Sequence, residues 1–409
     1  MSSGLLDSPL ANQHRVRTFL GFALIGLANI VLARISHAAN YLIVPYPQAV
    51  VLLLELLPAA LAKLFLPFVL GYIPQGLRPV LLAGLWVLIK IIVSATPPNV
   101  LPPVRVLTTA LAAACSAATE LCCLDLARRY GRHALAAWAI GTSLGQIANA
   151  TWPLVLTSSM GMTLREATGY MYQLVAAILV AYFVVLPKAL PPAGFAGLGL
   201  DSNDTTTYYT TSLTEDASAT PDKVTRKPAR NARALPALAV QYLLTLLLAS
   251  AAQAMVFPGI AFALDGSAFS SLLSWTSALA FALYLGNFAA RSLSATSLRL
   301  GSHRVVLILL AWMVALLPAD SIFFLGHSWV VLCVGLGAGL LGGAVYVEVF
   351  DGVLTGLSGH PDCVLILGIV GAGDTIGSLL GGLVGVLWQG MICGMTVDAG
   401  RFCHRPSWS

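Results

Sequence analysis

Long apolar runs separated by short polar segments make up most of the chain. Each run is long enough to cross the hydrocarbon core of a bilayer as an α-helix, which takes about 17–25 residues. The pattern predicts an all-α polytopic membrane protein with eleven spans, which cover residues 18–44, 49–73, 79–95, 101–126, 134–158, 167–187, 236–258, 267–289, 304–322, 328–350 and 363–391. Composition agrees, because only 10% of the residues are charged, whereas a soluble domain has about 25%.

One long polar segment, residues 188–235, interrupts this pattern. It is rich in Ser, Thr and charged residues and poor in large aliphatics, which predicts a disordered linker. The other predicted regions are an N-terminal tail (1–17), a six-helix bundle (18–187), a five-helix bundle (236–391) and a C-terminal tail (392–409). Many secondary transporters are built from two such bundles, with a substrate site between them near the middle of the membrane. The expected arrangement is therefore two bundles of six and five helices.

Basic residues predict the orientation of the spans. If the N-terminus is cytosolic, the tail and the loops on its side hold fifteen of the 22 Lys and Arg residues. Cytosolic loops carry such an excess, so the N-terminus and the 188–235 linker are expected in the cytosol and the C-terminal tail on the opposite side. We expect no cleaved signal peptide, because no apolar region with a small-residue cleavage pattern precedes the first span.

Glycines at four-residue spacing mark the last two spans. Gly373, Gly377, Gly381 and Gly385 form one ridge along the last span, and Gly335, Gly339 and Gly343 form a similar ridge along the span before it. Small residues at this spacing allow membrane helices to approach closely, so both ridges predict tight helix pairs. Asp374 lies beside the first ridge and needs a partner or water inside the membrane. It is either a structural hydrogen-bond acceptor or part of a substrate or proton path.

Other charged residues lie within or at the ends of spans. Glu120 is flanked by small residues about two turns before the end of the fourth span, which favours close approach of a helix or solute. Glu348 and Asp351 share one helix face near the cytosolic end of the tenth span, where they suit either a proton-coupled site or a gate. Lys63 and Lys90 are long enough to reach an interface from within a span. We interpret these two lysines as structural.

Neutral polar residues are spread over spans of both halves, at Asn29, Gln146, Asn149, Gln253 and Asn287. Each suits an interhelical hydrogen bond, and together they also suit a polar central cavity. The cysteines lack metal-site spacing, and we expect neither a metal site nor a disulfide framework. There is no Walker A loop, GxSxG, HExxH or Rossmann glycine motif. We therefore expect that the protein is not an enzyme, needs no cofactor and binds no nucleic acid.

Several blocks resemble a known family. LLGGAVYVEVFDGV (340–353), GAGDTIGSLLGGLVG (371–385), LYLGNFAARSLS (283–294), ELLPAALAKLFLPF (55–68) and SAATELCCLDLARRYGRHALAAWAIGTSLG (116–145) are similar to blocks of the battenin family. By position, Glu120, Arg291 and Asp374 match motif residues of that family. The chain departs from it at Gln253, where the family tends to carry an acid. This departure weakens the case for proton coupling at that position.

The resemblance implies a major-facilitator-like fold, residence in the vacuolar or lysosomal membrane, and a role in vacuolar transport and pH homeostasis. It also implies that the transported solutes are basic amino acids such as arginine, or glycerophosphodiesters. We expect Glu120, Asp374, Asn29, Gln146, Gln253 and Glu348 on the substrate or proton path, and Arg291 and Asp351 as gate or structural residues. Arg291 is expected to stabilise the turn between the eighth and ninth spans. The expected partners are membrane lipid, the solute, protons and a vacuolar trafficking or proton-pump protein. Two alternatives stay open, namely an equilibrative carrier for nucleoside-like solutes and a membrane scaffold that affects vacuolar pH without transport.

Overall fold

The computed structural model describes residues 9–41, 47–95, 102–155, 161, 173–187, 234–264, 268–269, 271–295, 303–323, 328–356 and 362–398. Over these residues the chain forms helices joined by turns. The helices are α1 (Pro9–Tyr41), α2 (Gln48–Leu70), α3 (Arg78–Ala95), α4 (Pro102–Tyr130), α5 (Arg132–Leu154), α6 (Leu174–Val180), α7 (Ala234–Ala254), α8 (Leu272–Ala295), α9 (His303–Phe323), α10 (Ser328–Gly356) and α11 (Cys363–Asp398). A single π-helical turn follows α6 (Ala181–Val185) and another follows α7 (Met255–Gly259).

Each predicted span coincides with one of these helices, so the all-α, six-plus-five arrangement is confirmed. Seven of the helices contain segments that are long and apolar enough to cross a membrane by themselves. The largest differences from the predicted boundaries are that α1 already begins at Pro9 and that α11 continues to Asp398. The predicted linker lies outside the described residues, except for its last two residues, which begin α7. The start of the sixth predicted span, residues 167–172, also lies outside them.

The two halves use the same helix pairs. In the N-terminal half α1 packs on α5 and α2 on α4, and in the C-terminal half α7 packs on α11 and α8 on α10. The halves meet where α2 packs on α11 and α5 packs on α8. Because successive helices alternate in direction, all odd-numbered helices begin on one face of the bundle. We call this face the α1 side.

Both predicted glycine ridges are contact surfaces. A Cβ atom at Gly377 or Gly381 of α11 would overlap the backbone of α7 at Leu247 or Ala251. A Cβ atom at Gly339 or Gly343 of α10 would likewise overlap the backbone of α8. Such close approach gains van der Waals contact where burial from lipid supplies no hydrophobic driving force. The sequence therefore correctly located the tightest helix pairs of the C-terminal half.

A buried hydrophobic core joins the two halves near the α1 side. Phe22, Leu124 and Trp138 from the N-terminal half lie in one cluster with Phe350 and Leu367 from the C-terminal half, and none of the five is more than 1% exposed. Packing of this density leaves no continuous path for a solute. The bundle is therefore closed on the α1 side.

The described cysteines include one that is oxidised. Cys393, near the end of α11, is disulfide-bonded. The other five described cysteines are free, namely Cys115, Cys122, Cys123, Cys333 and Cys363. The spacing of the cysteines along the sequence gives no indication of this bond.

Candidate functional site

A cavity of about 840 Å³ lies between the two halves, on the side opposite the α1 side. Odd-numbered helices line it mostly with residues from their second halves, such as Gln146 of α5 and Gln389 of α11. Even-numbered helices line it mostly with residues from their first halves, such as Gln48 of α2 and Thr276 of α8. The cavity is therefore displaced from the closed α1 side towards the opposite face.

The cavity lining is mostly apolar, with a set of neutral polar side chains. The polar members are carboxamides and hydroxyls from both halves: Gln48, Gln146, Ser250, Gln253, Thr276, Tyr284, Asn287, Ser378 and Gln389. Ligand sites typically combine an apolar wall with a few placed polar groups that fix orientation. Of the residues expected on a substrate path, the structure brings Gln146 and Gln253 into this lining.

Arg34 and Glu55 carry the charges in the lining. Arg34 Nη1 lies 3.2 Å from Glu55 Oε2, and His37 Nδ1 lies 3.0 Å from Glu55 Oε1. The Arg34 side chain is 51% exposed, whereas that of Glu55 is 11% exposed. This cluster thus joins the second half of α1 to the first half of α2 at the mouth of the cavity.

The amide of Gln253 is held in one orientation. Its Nε2 donates to Asn287 Oδ1 at 2.9 Å, to the Ala338 carbonyl at 3.1 Å and, more weakly, to the Gly339 carbonyl at 3.5 Å. Two of these partners are backbone carbonyls, which can only accept, so the group facing them must be the NH₂. The hydrogen-bonding partners therefore fix the orientation of the amide, and the Gln253 oxygen is the atom left to accept a hydrogen bond from a molecule in the cavity.

Asp374 does not line the cavity but is connected to it through Ser250. The Ser250 hydroxyl of α7 donates to Asp374 Oδ1 of α11, and Ser250 is itself a lining residue. The partner that the intramembrane acid requires is therefore a serine one helix away. Through this bond, the charge of Asp374 acts on the cavity wall.

Glu120 lies outside the cavity lining, in a buried ion pair. Lys63 Nζ of α2 lies 2.8 Å from Glu120 Oε2 of α4, and the same nitrogen donates to the Gly371 carbonyl of α11 at 3.2 Å. Lys63 is only 4% exposed, so our interpretation of it as a lysine that reaches the interface is wrong. The pair connects helices of the N-terminal half to α11 of the other half.

Tyr346 and Arg291 extend this pair across the bundle. The Tyr346 hydroxyl of α10 donates to Glu120 Oε1 at 3.1 Å, and the Arg291 guanidinium of α8 lies 4.2 Å from the Tyr346 ring centroid. Arg291 Nη1 also donates to Thr142 Oγ1 of α5 at 2.8 Å. The expectation that Arg291 stabilises the turn after α8 is therefore wrong, because its buried side chain contacts α5 and α10.

We call Lys63, Glu120, Tyr346 and Arg291 the buried charge network. It contains two cations and one anion, and Asp374 interacts electrostatically with Arg291. With Asp374 the formal charges balance, as burial in a membrane protein requires. Because its members come from both halves, it holds the halves together between the cavity and the α1 side.

Nearer the α1 side, Asp351 forms a second bridge between the halves. Arg132 Nε of α5 lies 3.5 Å from Asp351 Oδ2 of α10, and Arg132 Nη2 donates weakly to the Ser294 carbonyl of α8 at 3.4 Å. Glu348 lies one turn before Asp351, outside the cavity lining. Asn29 is also remote from the cavity, because its Nδ2 donates to the Ser116 carbonyl of α4 at 3.1 Å.

Weakening the Arg132–Asp351 bridge should open the α1 side more often. We expect Asp351→Asn to raise the labelling rate of the buried Cys363 about two- to fivefold, since partly exposed ion pairs contribute about 0.2–1 kcal/mol. The measurement is maleimide labelling of a chain in which the other free cysteines are replaced. Adding Arg132→Ala should raise the rate by little more, because the only described contact that it removes in addition is the weak hydrogen bond to the Ser294 carbonyl. An unchanged rate in Asp351→Asn would contradict a role in closure.

Over the described residues, no group of three or more His, Cys, Asp or Glu side chains is arranged to hold a metal ion. The chemistry that the cavity offers is hydrogen bonding, with one Arg–Glu pair at its mouth. It is thus suited to binding a polar molecule.

The fold is that of a solved transporter. The human organic anion transporter MFSD10 (TETRAN) superposes with a TM-score of 0.55 over 96% of this chain and 98% of that chain, at 18% sequence identity. At this identity the likeness concerns the fold alone. It agrees with the major-facilitator-like arrangement expected from the sequence.

Sequence comparison gives the family. The chain is 28% identical to Protein BTN1 of Chaetomium globosum over 441 residues, covering 99% of this chain and 95% of the relative. It is 29% identical to Protein BTN1 of Yarrowia lipolytica over 391 residues, covering 94% and 96% of the two chains. The family model described as CLN3 protein matches residues 20–395. The resemblance to the battenin family is thereby confirmed, and this multi-pass membrane protein belongs to the CLN3 (battenin) family.

Proposed function

We propose that the protein is a transporter of the vacuolar or lysosomal membrane that moves a small polar solute by alternating access. The observation that carries the proposal is the cavity between the halves, which has a set of polar side chains in its lining and is closed on one side by the buried charge network and the Arg132–Asp351 bridge. In transporters built from two bundles, rocking of the halves exposes such a site to each side in turn. The network residues would then have to separate when the α1 side opens.

The basic residues of the tail, the linker and the short loops support an orientation with the α1 side in the cytosol. In that orientation the cavity faces the vacuolar lumen. A lumen-facing cavity can load solute from the vacuole and release it to the cytosol once the halves rock. We propose basic amino acids such as arginine, or glycerophosphodiesters, as the solutes, and maintenance of vacuolar pH as the physiological role.

The proposal includes proton coupling through two acidic residues. Asp374 is linked to the cavity by the Ser250 hydroxyl, and Glu120 is held between Lys63 and Tyr346. A proton on Glu120 would weaken its attraction to Lys63, which provides a link between protonation and separation of the halves. Both acids therefore stay candidates for the proton path.

An equilibrative carrier for nucleoside-like solutes remains a second candidate, favoured by the neutral amides that dominate the polar lining. Flux through such a carrier would not respond to a pH gradient. In proteoliposomes, uptake that persists unchanged after the gradient is collapsed with an ionophore would support it. Uptake that falls with the gradient would support the proton-coupled carrier.

The solute content of isolated vacuoles tests the proposed function. We expect cells without the protein to accumulate one class of vacuolar solute, basic amino acids or glycerophosphodiesters, and the unchanged chain to restore its level. Glu120→Gln and Asp374→Asn should fail to restore it, because each removes a charge from the path between the halves. The measurement is mass spectrometry of vacuoles from all strains.

Asp398→Asn serves as the matched control, because it removes an exposed acid at the end of α11, outside the cavity and the buried charge network. This variant should restore the solute level like the unchanged chain. If vacuolar pH changes while no solute does, the scaffold alternative replaces the transporter. A trafficking or proton-pump partner would then be the place to look for the effect.

A further inference from the structure

The cavity wall contains a patch of hydrogen-bond acceptors on α7. Ser250 and Gln253 are three residues apart, so they lie on one face of the helix, and both line the cavity. The Ser250 proton is committed to Asp374, which leaves the lone pairs of its oxygen for another donor. The Gln253 protons are committed to Asn287 and α10, which leaves its oxygen. We call Ser250 Oγ and Gln253 Oε1 the acceptor patch.

Two features make this patch suited to a cation. The carboxylate of Asp374 lies directly behind Ser250 and adds negative charge to that part of the wall. Hydrogen bonds in which one partner is ionised are roughly twice as strong as neutral ones. An ammonium or guanidinium group therefore gains more from this patch than a hydroxyl group does.

Two further side chains of the cavity lining have an oxygen atom that accepts no hydrogen bond from a described residue. The side-chain oxygens of Gln146 in α5 and Gln389 in α11 are buried and have no hydrogen-bond partner among the described residues. Gln389 is only 4% exposed. A buried acceptor without a donor costs free energy, so an incoming donor is favoured. The buried unmatched atoms of the cavity lining are thus acceptors from both halves.

We infer that Ser250 and Gln253 recognise a solute group that carries N–H donors and a positive charge, that is, a primary ammonium or a guanidinium. This inference rests on the proposed transport function and names the specificity-determining residues of its cavity. A quaternary ammonium has no proton to donate, so it cannot satisfy the acceptor patch. Discrimination between these two kinds of cation is therefore the diagnostic property.

Matched pairs of probes test the inference. Proteoliposomes receive an equimolar mixture of Nα-acetyllysine with Nα-acetyl-Nε-trimethyllysine, in which the α-amino group is blocked, or of glycerophosphoethanolamine with glycerophosphocholine, and mass spectrometry measures the uptake of each. Within a transported pair we expect the ammonium compound to be preferred about tenfold or more, because each pair differs only in N–H donors and methyl groups. Preference for the methylated compound, or equal uptake, overturns the inference.

Variants assign the preference to the patch. Gln253→Leu and Ser250→Ala should each lower the preference to about threefold or less, whereas Ser250→Thr, which keeps a hydroxyl, should retain it. Gln48→Leu and Ser378→Ala are the controls, because they remove an amide or a hydroxyl elsewhere in the same lining and should leave the preference intact. Size-exclusion chromatography checks folding, and Gln253→Met replaces any Gln253→Leu protein that aggregates.

The failures of the two proposals are distinguishable. If none of the four probes is taken up by the unchanged protein, neither proposal holds for these solutes and both are overturned. If uptake occurs and the preference survives in Gln253→Leu and Ser250→Ala, transport stands and the acceptor patch is not the recognition site. If the preference falls equally in the control variants, it arises from the whole cavity and the assignment to α7 fails.

Discussion

Replacing Lys63 by methionine should destabilise the protein by about 3–5 kcal/mol, the range measured when one partner of a buried ion pair is removed. The substitution leaves Glu120 buried without its cation and with Tyr346 as its remaining described partner. The double variant Lys63→Met, Glu120→Gln removes both charges and should recover most of the loss. Thermal unfolding of the purified protein, followed by tryptophan fluorescence, compares the three chains.

The double variant separates two explanations of the loss. If charge is the cause, the double variant is markedly more stable than Lys63→Met. If the double variant is as unstable as Lys63→Met, the loss comes instead from the missing hydrogen bond to the Gly371 carbonyl and from packing. Transport adds a second readout, since a chain without either charge can fold and yet lose the contact that joins α2 and α4 to the opposite half.

The position of Lys63 within its helix is too deep for its side chain to reach the interface. Lys63 lies seven residues before the end of α2 at Leu70, which is about 10 Å at 1.5 Å per residue. A lysine side chain spans about 6 Å, so it could not reach the interface along that route. This mismatch was the signal for a buried partner. The identity of that partner was not readable, because Glu120 is on another helix.

Patterns along a single helix predicted more than contacts between helices. The four-residue spacing of glycines located both tight pairs, because the spacing is a property of one helix surface. Tyr346 and Glu120, by contrast, meet across 226 residues of sequence. Arg291 was assigned to the nearest turn for the same reason, since local sequence offered no view of Thr142 or the Tyr346 ring. The pairing of helices decides such contacts, and one sequence does not encode it in any local pattern.

In the cavity lining, likewise, the sequence predicts residues inside the spans but not residues near the ends of spans. Gln146 and Gln253 were expected on the path because an amide inside an apolar run is conspicuous. Gln48 and Gln389 were missed, because they stand near the ends of their predicted spans, where polar residues are ordinary. These two residues line the cavity because it extends towards the face opposite the α1 side. That extent depends on how the two halves pack together.

Replacing either of two glycines of α11 by alanine should change the stability of the protein in opposite directions. Gly381→Ala should destabilise the protein by roughly 1–3 kcal/mol, because the added methyl group overlaps the backbone of Ala251 and forces α7 and α11 apart. Gly390→Ala should be neutral or stabilising by up to about 1 kcal/mol, since nothing lies within 4 Å of its Cβ position and alanine is the better helix former. Thermal unfolding measures both.

The comparison isolates helix packing, because both positions are in the same helix and receive the same methyl group. Gly381→Leu should go further and largely abolish folded protein, which size-exclusion chromatography detects, whereas Gly390→Leu should still yield a monodisperse peak. Equal destabilisation at both positions would mean that helix propensity, and not contact with α7, explains the glycine ridge. The consequence reaches the cavity, because Gly381 and Ala251 lie beside Ser250, and separating α7 from α11 would also pull the Ser250 hydroxyl away from Asp374. Even a folded Gly381→Ala protein should therefore show reduced transport.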